Sequence, residues 1–407
     1  MGIFDKCQTY KRVEEVQEKD MYPYFTPIKN ININTINTNG KNLIMVGSNN
    51  YLGLTHHPKV VEAAKNAIAF YGTASCGSRL FSGTLQIHID LEQRLAQFMN
   101  KPAALTFSTG FLTNQGIITA LIRTGDCIIY DRGVHASIVD ACRLSKGKIK
   151  KFRHNDMTEL ERILNSIPSY IPTLVVVDGV YSMEGDLADL PNIVKLKQKH
   201  NFRLLVDDAH GIGVLGQNGR GTAEHLKVEN NVDLIMGTFS KSFASLGGFV
   251  VGEKEVITFI QRHSETSKYS TSMTPAAASV VLAVLDIIEN EPERRQRLKE
   301  ISKKMKSGFQ ELGFDTGLSA THIIPVIAGG DEMAFMFWKL LKEDGIFVNP
   351  IISPAVPKGR ALLRTSYSAL HLDDELETIL KSFEKCGRLL GLIDWKRKNM
   401  YSNLHSK

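Results

Sequence analysis

The sequence predicts an α/β fold, with a large, mostly parallel sheet domain and a smaller α+β domain at the C-terminal end. The main observation is that short apolar runs alternate with helical patterns between residues 58 and 290. Near-continuous apolar strands separated by helices indicate a parallel sheet that is covered on both faces. The second observation is the length of 407 residues, which exceeds what one compact core usually holds and favours two domains.

Six apolar runs predict the strands of this sheet: 103–107, 127–130, 173–177, 204–206, 233–236 and 248–251. Helical patterns lie between them, including a run at 112–121, and a longer helical pattern at 275–288 follows the last strand. Ahead of the sheet, alternating apolar and polar residues at 31–36 predict a strand. A tight turn at Asn39-Gly40 and a returning strand at 43–46 follow it.

A strongly charged stretch at 289–295 marks the predicted end of the large domain. We therefore predict three segments: an N-terminal arm with a hairpin (1–57), a large α/β domain (58–290) and a small α+β domain with a basic tail (291–407). The last segment carries two helical patterns and two short strands, at 293–311, 331–344, 322–327 and 361–366.

Composition and charge restrict the classes of function. The net charge of +6 is spread along the chain without the aromatic and basic interleaving of a nucleic-acid surface, so no nucleic-acid partner is expected. No apolar run approaches the roughly 20 residues that span a bilayer, and the N-terminus lacks the apolar core of a signal peptide, which predicts a cytoplasmic protein. The five cysteines stand singly, which indicates reduced structural thiols and no metal site.

A short basic patch lies at residues 395–398, near the end of the sequence. A solvated tail is its expected role. Peripheral contact with the anionic inner face of a membrane is the alternative.

Lys241 carries most of the functional prediction. It follows the predicted strand 233–236, stands between Ser240 and Ser242, and precedes Gly247-Gly248. Desolvation of a lysine at a strand end favours the neutral amine, which can form a Schiff base with an aldehyde.

An acid and a histidine three residues apart, Asp207 and His210, follow the predicted strand 204–206. The carboxylate could keep a pyridine nitrogen protonated, and the histidine could contact the phenolic oxygen of the same ring. Together with Lys241 these are the parts that a pyridoxal phosphate site requires. Taken alone, an aspartate at a strand end is more often a helix cap or a metal ligand, and the lysine motif reverses that preference.

The phosphate of such a cofactor needs amide and hydroxyl donors. Gly110 and Phe111 open a helical run directly after a predicted strand, where backbone amides can bind an anion. An ordinary helix cap is the equal alternative for this segment. Thr238 and Ser240 could add hydroxyl donors.

Three further residues complete the candidate set. His135 could stack on the pyridine face, and the alternative is a histidine that only forms hydrogen bonds within its loop. Ser182 could form a hydrogen bond near the cofactor. Asp178, in the same loop as Ser182, is expected to be structural. Arg364 lies in an apolar run, and its planar guanidinium group can form two parallel hydrogen bonds to a substrate carboxylate. A structural ion pair is the equal alternative for this arginine. Because the carboxyl ends of parallel strands meet at one edge of a sheet, we expect the polar groups that follow five of the six predicted strands to form one site.

From about residue 20 to 393 the chain resembles the α-oxoamine synthases, which are fold-type I pyridoxal phosphate enzymes. The stretches that carry the resemblance are GSNNYLGL (47–54), FSTGFLTNQG (107–116), HASIVDACRLS (135–145), DGVYSMEGDLADL (178–190), VDDAHGIGVLGQNGRG (206–221), GTFSKSFASLGG (237–248), YSTSMTPA (269–276) and ALLRTSYSALH (361–371). A series of this length in this order is highly specific. It implies a C-acyltransferase that condenses an amino acid with an acyl-CoA and releases CO₂.

The resemblance implies a role for each matching residue. Lys241 is the lysine that binds the cofactor covalently, and Asp207 is the partner of the pyridinium nitrogen. His210 contacts the phenolic oxygen and His135 stacks on the ring. The other cofactor contacts of the family fall on residues around the phosphate and the ring: Gly110, Phe111, Ser182, Thr238 and Ser240.

The family also implies a homodimer with active sites at the subunit interface. Ser272 would reach the phosphate of the neighbouring subunit, and Asn50 and Tyr51 would line the site. Arg364 matches the arginine that binds the substrate carboxylate.

Segments 21–25 and 349–357 are most similar to bacterial members that condense L-serine with a long-chain acyl-CoA, the first step of sphingolipid synthesis. The chain has Ile352 where some of those members have an arginine, so carboxylate binding would depend on Arg364, assisted by Ser82. The alternatives are members that use glycine or alanine, the 2-amino-3-ketobutyrate ligases and the 8-amino-7-oxononanoate synthases. A non-catalytic binding subunit is the remote alternative.

Overall fold

The computed structural model describes residues 2–8, 14, 17–18, 21–38 and 40–394, and the basic patch predicted at 395–398 lies outside them. The chain forms two compact units, Met1–Ser48 with Lys299–Lys407, and Asn49–Leu298. The division into three segments, made from the sequence, stays a prediction.

The strands of the described residues, in chain order, are β1 (Asn30–Asn32), β2 (Thr35–Thr38), β3 (Lys41–Met45), β4 (Ala103–Phe107), β5 (Cys127–Asp131), β6 (Lys148–Phe152), β7 (Thr173–Asp178), β8 (Arg203–Asp207), β9 (Leu234–Thr238), β10 (Gly248–Gly252), β11 (Ile323–Gly329), β12 (Ile346–Phe347), β13 (Asn349–Ile351) and β14 (Ala361–Ser366).

The helices, numbered in the same way, are α1 (Asp5–Gln8), α2 (Pro58–Tyr71), α3 (Gln86–Phe98), α4 (Gly110–Leu121), α5 (Ala136–Leu144), α6 (Met157–Asn165), α7 (Leu190–Lys199), α8 (Thr222–His225), α9 (Lys254–His263), α10 (Glu265–Lys268), α11 (Pro275–Asn290), α12 (Glu293–Leu312), α13 (Asp331–Glu343) and α14 (Asp373–Leu389). Each of these helices is too short or too polar to traverse a bilayer.

The large unit is built on a seven-stranded sheet in the order β4-β10-β9-β8-β7-β5-β6. β5 pairs in parallel with β6 and β7, and the chain of parallel pairs continues through β8 to β9. β10 runs antiparallel to both of its neighbours. The predicted mostly parallel sheet is therefore confirmed, and all six predicted strands belong to it.

The central strands are buried on both faces, as their continuous apolar runs predicted. Leu204, Leu205 and Val206 of β8, for example, have no exposed surface. β6 was not predicted because its sequence, KIKKF, alternates lysines with apolar residues. It lies at the sheet edge, where lysines protect a strand from pairing with another chain.

The small unit contains a four-stranded sheet in the order β1-β2-β3-β12 and an antiparallel three-stranded sheet in the order β11-β14-β13. The prediction of one strand over 31–36 was wrong. The chain turns at Ile33, which has a φ of 45°, so that β1 and β2 form a hairpin. Asn34 is buried in this turn, where its Nδ2 donates to the carbonyl of Leu370 at 2.6 Å.

Candidate active site

A cavity of about 220 Å³ opens at the carboxyl ends of five strands in the unit Asn49–Leu298. It lies where a doubly wound sheet places its ligands, because the loops after parallel strands meet at that edge. The structure brings together nine of the residues predicted from the sequence, and they line this cavity: Gly110, Phe111, His135, Ser182, Asp207, His210, Thr238, Ser240 and Lys241.

Lys241 is carried by a nine-residue loop, 239–247, that connects β9 to β10. Two backbone hydrogen bonds close the loop, from Phe239 N to Gly247 O at 3.0 Å and from Ser245 N to Phe239 O at 2.8 Å. The antiparallel pairing of Thr238 with Gly248 continues directly from them. The backbone of the lysine is therefore fixed by the sheet on both sides.

The amine of Lys241 contacts His210. Lys241 Nζ lies 2.7 Å from His210 Nε2, and the other ring nitrogen, Nδ1, lies 2.7 Å from the hydroxyl of Tyr51. That hydroxyl donates to Asn49 Oδ1 at 2.9 Å, so it accepts from His210 Nδ1. When the ring of His210 is neutral, its Nε2 is then the acceptor that faces Lys241. Tyr51, expected to line the site, is fully buried and supports it through His210.

Asp207, at the end of β8, is 5% exposed. Its Oδ2 accepts from Asn114 Nδ2 at 2.6 Å, and its Oδ1 accepts from the backbone N–H of Ala209 at 3.1 Å. These bonds hold a carboxylate at the cavity wall, as a pyridinium partner requires. Asn114 was missed in the sequence, because it lies in the middle of α4 and only its hydrogen bond to Asp207 in the folded chain gives it a role.

Asp178, at the end of β7, accepts from the backbone N–H of His135 at 3.1 Å. Burial, with repulsion from Asp207 next to it, raises the pKa of Asp178 well above its usual range. This residue also lines the cavity, and it anchors the backbone of a second cavity residue.

The beginning of α4 forms a cradle for an anion. Thr109 caps the helix, and its side chain accepts from Leu112 N at 3.2 Å. A Cβ at Gly110 would lie 2.8 Å from Thr238 Oγ1, so only glycine lets these two segments approach. Thr238 Oγ1 and Ser240 Oγ, 3.0 Å apart, add hydroxyls to the same wall. Amides at a helix N-terminus together with hydroxyls suit a phosphate group.

The donor set therefore fits pyridoxal phosphate. The amine of Lys241 suits its aldehyde, the carboxylate of Asp207 suits its ring nitrogen, and the cradle suits its phosphate. The buried Oδ1 of Asn114 has no hydrogen-bond partner among the residues that the structure describes, which is expected of a polar atom in the wall of a ligand cavity.

The remaining predicted residues do not line this cavity. Ser272 Oγ lies 2.8 Å from Ser75 Oγ, and Ser82 is exposed in the segment before α3. Asn50 Oδ1 accepts from the backbone N–H of Leu54 at 3.0 Å. Arg364 belongs to the small unit, where it is 6% exposed on β14.

An ion-pair cluster with two buried carboxylates supports the loops after β5 and β7. His154 Nδ1 lies 3.0 Å from Asp131 Oδ1, and His154 Nε2 lies 2.8 Å from Asp186 Oδ2. Asp131 ends β5, and Asp186 follows the cavity residue Ser182. Burial opposes a charge on His154, but the two carboxylates outweigh it and raise its pKa to about 10. His154 is therefore an imidazolium that joins the two loops.

This cluster predicts a pH dependence of stability. The pKa of His154 is about 10 in the folded protein and ~6.5 in the unfolded chain, so its contribution is full below pH ~6.5 and is lost as the pH rises through about 10. We expect His154→Gln to lower the thermal midpoint at pH 7 and to flatten its decline between pH 7 and 10. Thermal melts of both proteins across that range measure the effect. His225→Gln, at an exposed position in α8, is the matched control, and a parallel decline in all three proteins would contradict the prediction.

Comparison with known proteins agrees with this geometry. The family described as aminotransferase class I and II matches residues 41–383. A serine palmitoyltransferase of Sphingobacterium spiritivorum is 43% identical over 94% of this chain and 97% of its own. An 8-amino-7-oxononanoate synthase of Symbiobacterium thermophilum is 43% identical over 87% of this chain and 91% of its own.

Solved structures give the same result. A serine palmitoyltransferase of Sphingomonas wittichii superimposes with a TM-score of 0.94 at 34% identity, covering 97% of this chain and 100% of the other. A serine palmitoyltransferase of S. paucimobilis with a bound PLP–myriocin aldimine gives a TM-score of 0.92 at 33% identity, covering 96% and 98%. The predicted fold-type I architecture, the pyridoxal phosphate cofactor and the family resemblance are thereby confirmed. The chain belongs to the aminotransferase class I and II family and, within it, to the α-oxoamine synthases, which are pyridoxal phosphate-dependent C-acyltransferases.

Proposed function

We propose that this protein is a serine palmitoyltransferase, which condenses L-serine with palmitoyl-CoA to give 3-oxosphinganine, CoA and CO₂. The observation that carries the proposal is the cavity at the sheet edge, where an amine, a carboxylate and an anion cradle converge. The substrate assignment is supported by four relatives with that name, 41–43% identical over 94–97% of this chain.

Pyridoxal phosphate supplies an electron sink that stabilises negative charge at the α-carbon of the substrate. Lys241 would hold the cofactor covalently at rest. Asp207, oriented by Asn114, would keep the ring nitrogen protonated, and the start of α4 with Thr238 and Ser240 would hold the phosphate. His135 would lie on the ring face, with Ser182 beside it.

Once serine has displaced it, the amine of Lys241 would take the α-proton. Nε2 of His210, 2.7 Å from Nζ, can accept a hydrogen bond from that amine and so direct it into the cavity. A carbon–carbon bond would then form between the α-carbon and the thioester carbonyl carbon, while the carbon–sulfur bond breaks and CoA leaves. Loss of the carboxyl group as CO₂ would leave an electron pair on the α-carbon, and the return of the proton held by Lys241 to that carbon would complete the reaction.

Carboxylate recognition is assigned to Arg364, assisted by Ser82, because Ile352 stands where some serine-using members have an arginine. Asn50 and Tyr51 are assigned to the wall of the substrate site. We propose a cytoplasmic homodimer, in which Ser272 reaches the phosphate site of the partner. Peripheral contact with the inner face of a membrane would bring the enzyme to its long-chain acyl-CoA, and the +6 charge of the chain favours such anionic partners.

A panel of substrates tests the proposal. L-serine, glycine and L-alanine are each given with palmitoyl-CoA and with pimeloyl-CoA, and release of CoA is measured. We expect the highest kcat/KM for serine with palmitoyl-CoA. A preference for alanine with pimeloyl-CoA would instead assign the chain to the 8-amino-7-oxononanoate synthases, to which it is also up to 43% identical. A preference for glycine would assign it to the 2-amino-3-ketobutyrate ligases.

A non-catalytic binding subunit is the other class of function to exclude. Such a protein would neither acquire a visible absorbance with pyridoxal phosphate nor titrate to one cofactor per chain. The presence of Lys241, Asp207, His210 and His135 around one cavity argues against it.

A further inference from the structure

Four side chains form a continuous line of hydrogen bonds along one wall of the cavity. Asn114 Nδ2 donates to Asp207 Oδ2 at 2.6 Å and to Ser137 Oγ at 2.9 Å. Ser137 Oγ in turn lies 2.8 Å from Nδ1 of His135. Asn114 and Ser137 are each 1% exposed, so the protein, rather than solvent, determines where their protons lie.

Asp207 sets the direction of this line. An ionised carboxylate only accepts hydrogen bonds, so Asn114 must turn its Nδ2 towards Asp207. The second hydrogen of that amide group goes to Ser137 Oγ. The proton of the Ser137 hydroxyl is then directed to its other neighbour, Nδ1 of His135.

The ring of His135 receives a second donor at the same atom. The backbone N–H of Ser137 donates to His135 Nδ1 at 3.3 Å, because the ring caps the N-terminus of α5. A nitrogen that accepts two hydrogen bonds carries no proton. A neutral imidazole has one proton, so in His135 that proton is on Nε2.

The titratable groups that face His135 are Asp178 at the end of β7, Asp207 at the end of β8 and Lys241 after β9. Partial burial lowers the pKa of His135; Asp207 opposes this effect and Lys241 adds to it. Protonation of Nδ1 would also remove the backbone bond and leave the Ser137 proton without its acceptor. The ring is therefore neutral at pH 7.

We propose that Asn114 and Ser137 are positioning residues that fix His135 as the Nε2–H tautomer. His135 then presents a hydrogen-bond donor to an oxygen atom of the ligand in the cavity and has no basic nitrogen on that side. Lys241 is then the group that accepts the α-proton of the substrate. The tautomer follows from the hydrogen bonds alone, whereas its effect on turnover rests on the proposed function.

Nitrogen NMR of the full chain, labelled with ¹⁵N-histidine and loaded with pyridoxal phosphate, tests the tautomer directly. His135→Gln identifies the signals by their disappearance. We expect the Nδ1 signal of His135 in the range of an unprotonated ring nitrogen and a proton coupled to Nε2. A proton on Nδ1, or on both nitrogens at pH 7, overturns the proposal.

Variants then test the positioning role. Ser137→Ala and Asn114→Ala should each make the Nδ1–H form detectable and raise the pH at which the ring titrates, and Ser137→Thr should restore the wild-type signals. Ser145→Ala, which removes a hydroxyl bonded to Cys142 O just after α5, is the matched control and should change neither. An unchanged tautomer in both alanine variants would overturn the role of Asn114 and Ser137.

Turnover separates this inference from the proposed function. In Ser137→Ala we expect kcat/KM for the best substrate pair to fall by roughly twofold to tenfold, the value of one neutral hydrogen bond. If no substrate pair is turned over by the wild type, the proposed function fails, and the NMR result still decides the tautomer.

Discussion

Replacement of Lys241 with alanine is expected to abolish turnover and covalent attachment of the cofactor. This amine is the group assigned both to covalent attachment of the cofactor and to acceptance of the α-proton, and the variant lacks it. The rate should fall by at least the roughly 10²–10⁴-fold that a positioned general base contributes. Borohydride treatment followed by intact mass measurement shows whether the cofactor is attached, and release of CoA shows turnover.

Two variants make this result specific to the amine. Lys241→Arg keeps a positive charge beside His210 but cannot form a Schiff base, so it should be as inactive as the alanine variant. Lys254→Ala, at the exposed start of α9, should behave as the wild type. Retained turnover in Lys241→Ala would refute the assignment of this residue.

Asp207→Asn should separate cofactor attachment from catalysis. The amide has the shape of the carboxylate but no charge, so it no longer keeps the ring nitrogen protonated. Breaking a buried charge pair typically costs about 3–5 kcal/mol, so kcat should fall by roughly 10²–10⁴-fold. The mass shift of the borohydride-reduced protein should persist, because Lys241 is unchanged.

Asp208 provides the control for this variant. It is fully buried next to Asp207, but its carboxylate accepts from the side chain and the backbone N–H of Thr222 rather than facing the cavity. Asp208→Asn should lower the thermal midpoint of unfolding, whereas its kcat should stay close to that of the wild type. If Asp207→Asn kept its kcat, the pairing with the ring nitrogen would be excluded.

The large sheet was predictable because its physical signal is local. Strands buried on both faces need continuous apolar runs, and the rule for parallel sheets then places the residues after those runs at one edge. This rule brings Lys241, Asp207, His210 and His135 together from the sequence alone. The edge strand β6 lacked the signal, since its lysines face solvent and its pattern is that of a charged loop.

The supporting residues could not be predicted, because their roles depend on contacts between distant segments. Asn114 looks like one polar residue in an apolar helix until α4 brings it 2.6 Å from Asp207, 93 positions further along the chain. His154 gave no motif, and it bridges Asp131 and Asp186 from a loop that follows the unpredicted β6. The break at Ile33 was missed for a related reason, since alternation alone does not show where the buried Asn34 finds its partner.

The short connection that carries Lys241 has a consequence for motion during the catalytic cycle. Its two ends continue directly into the paired strands β9 and β10, and backbone hydrogen bonds close the loop between them. The main chain of the loop therefore has little conformational freedom. The amine of Lys241 would therefore move between its attached and released positions by rotation about its own side-chain bonds. We expect this movement, as distinct from the bond exchange itself, to need no hinge step at the sheet edge.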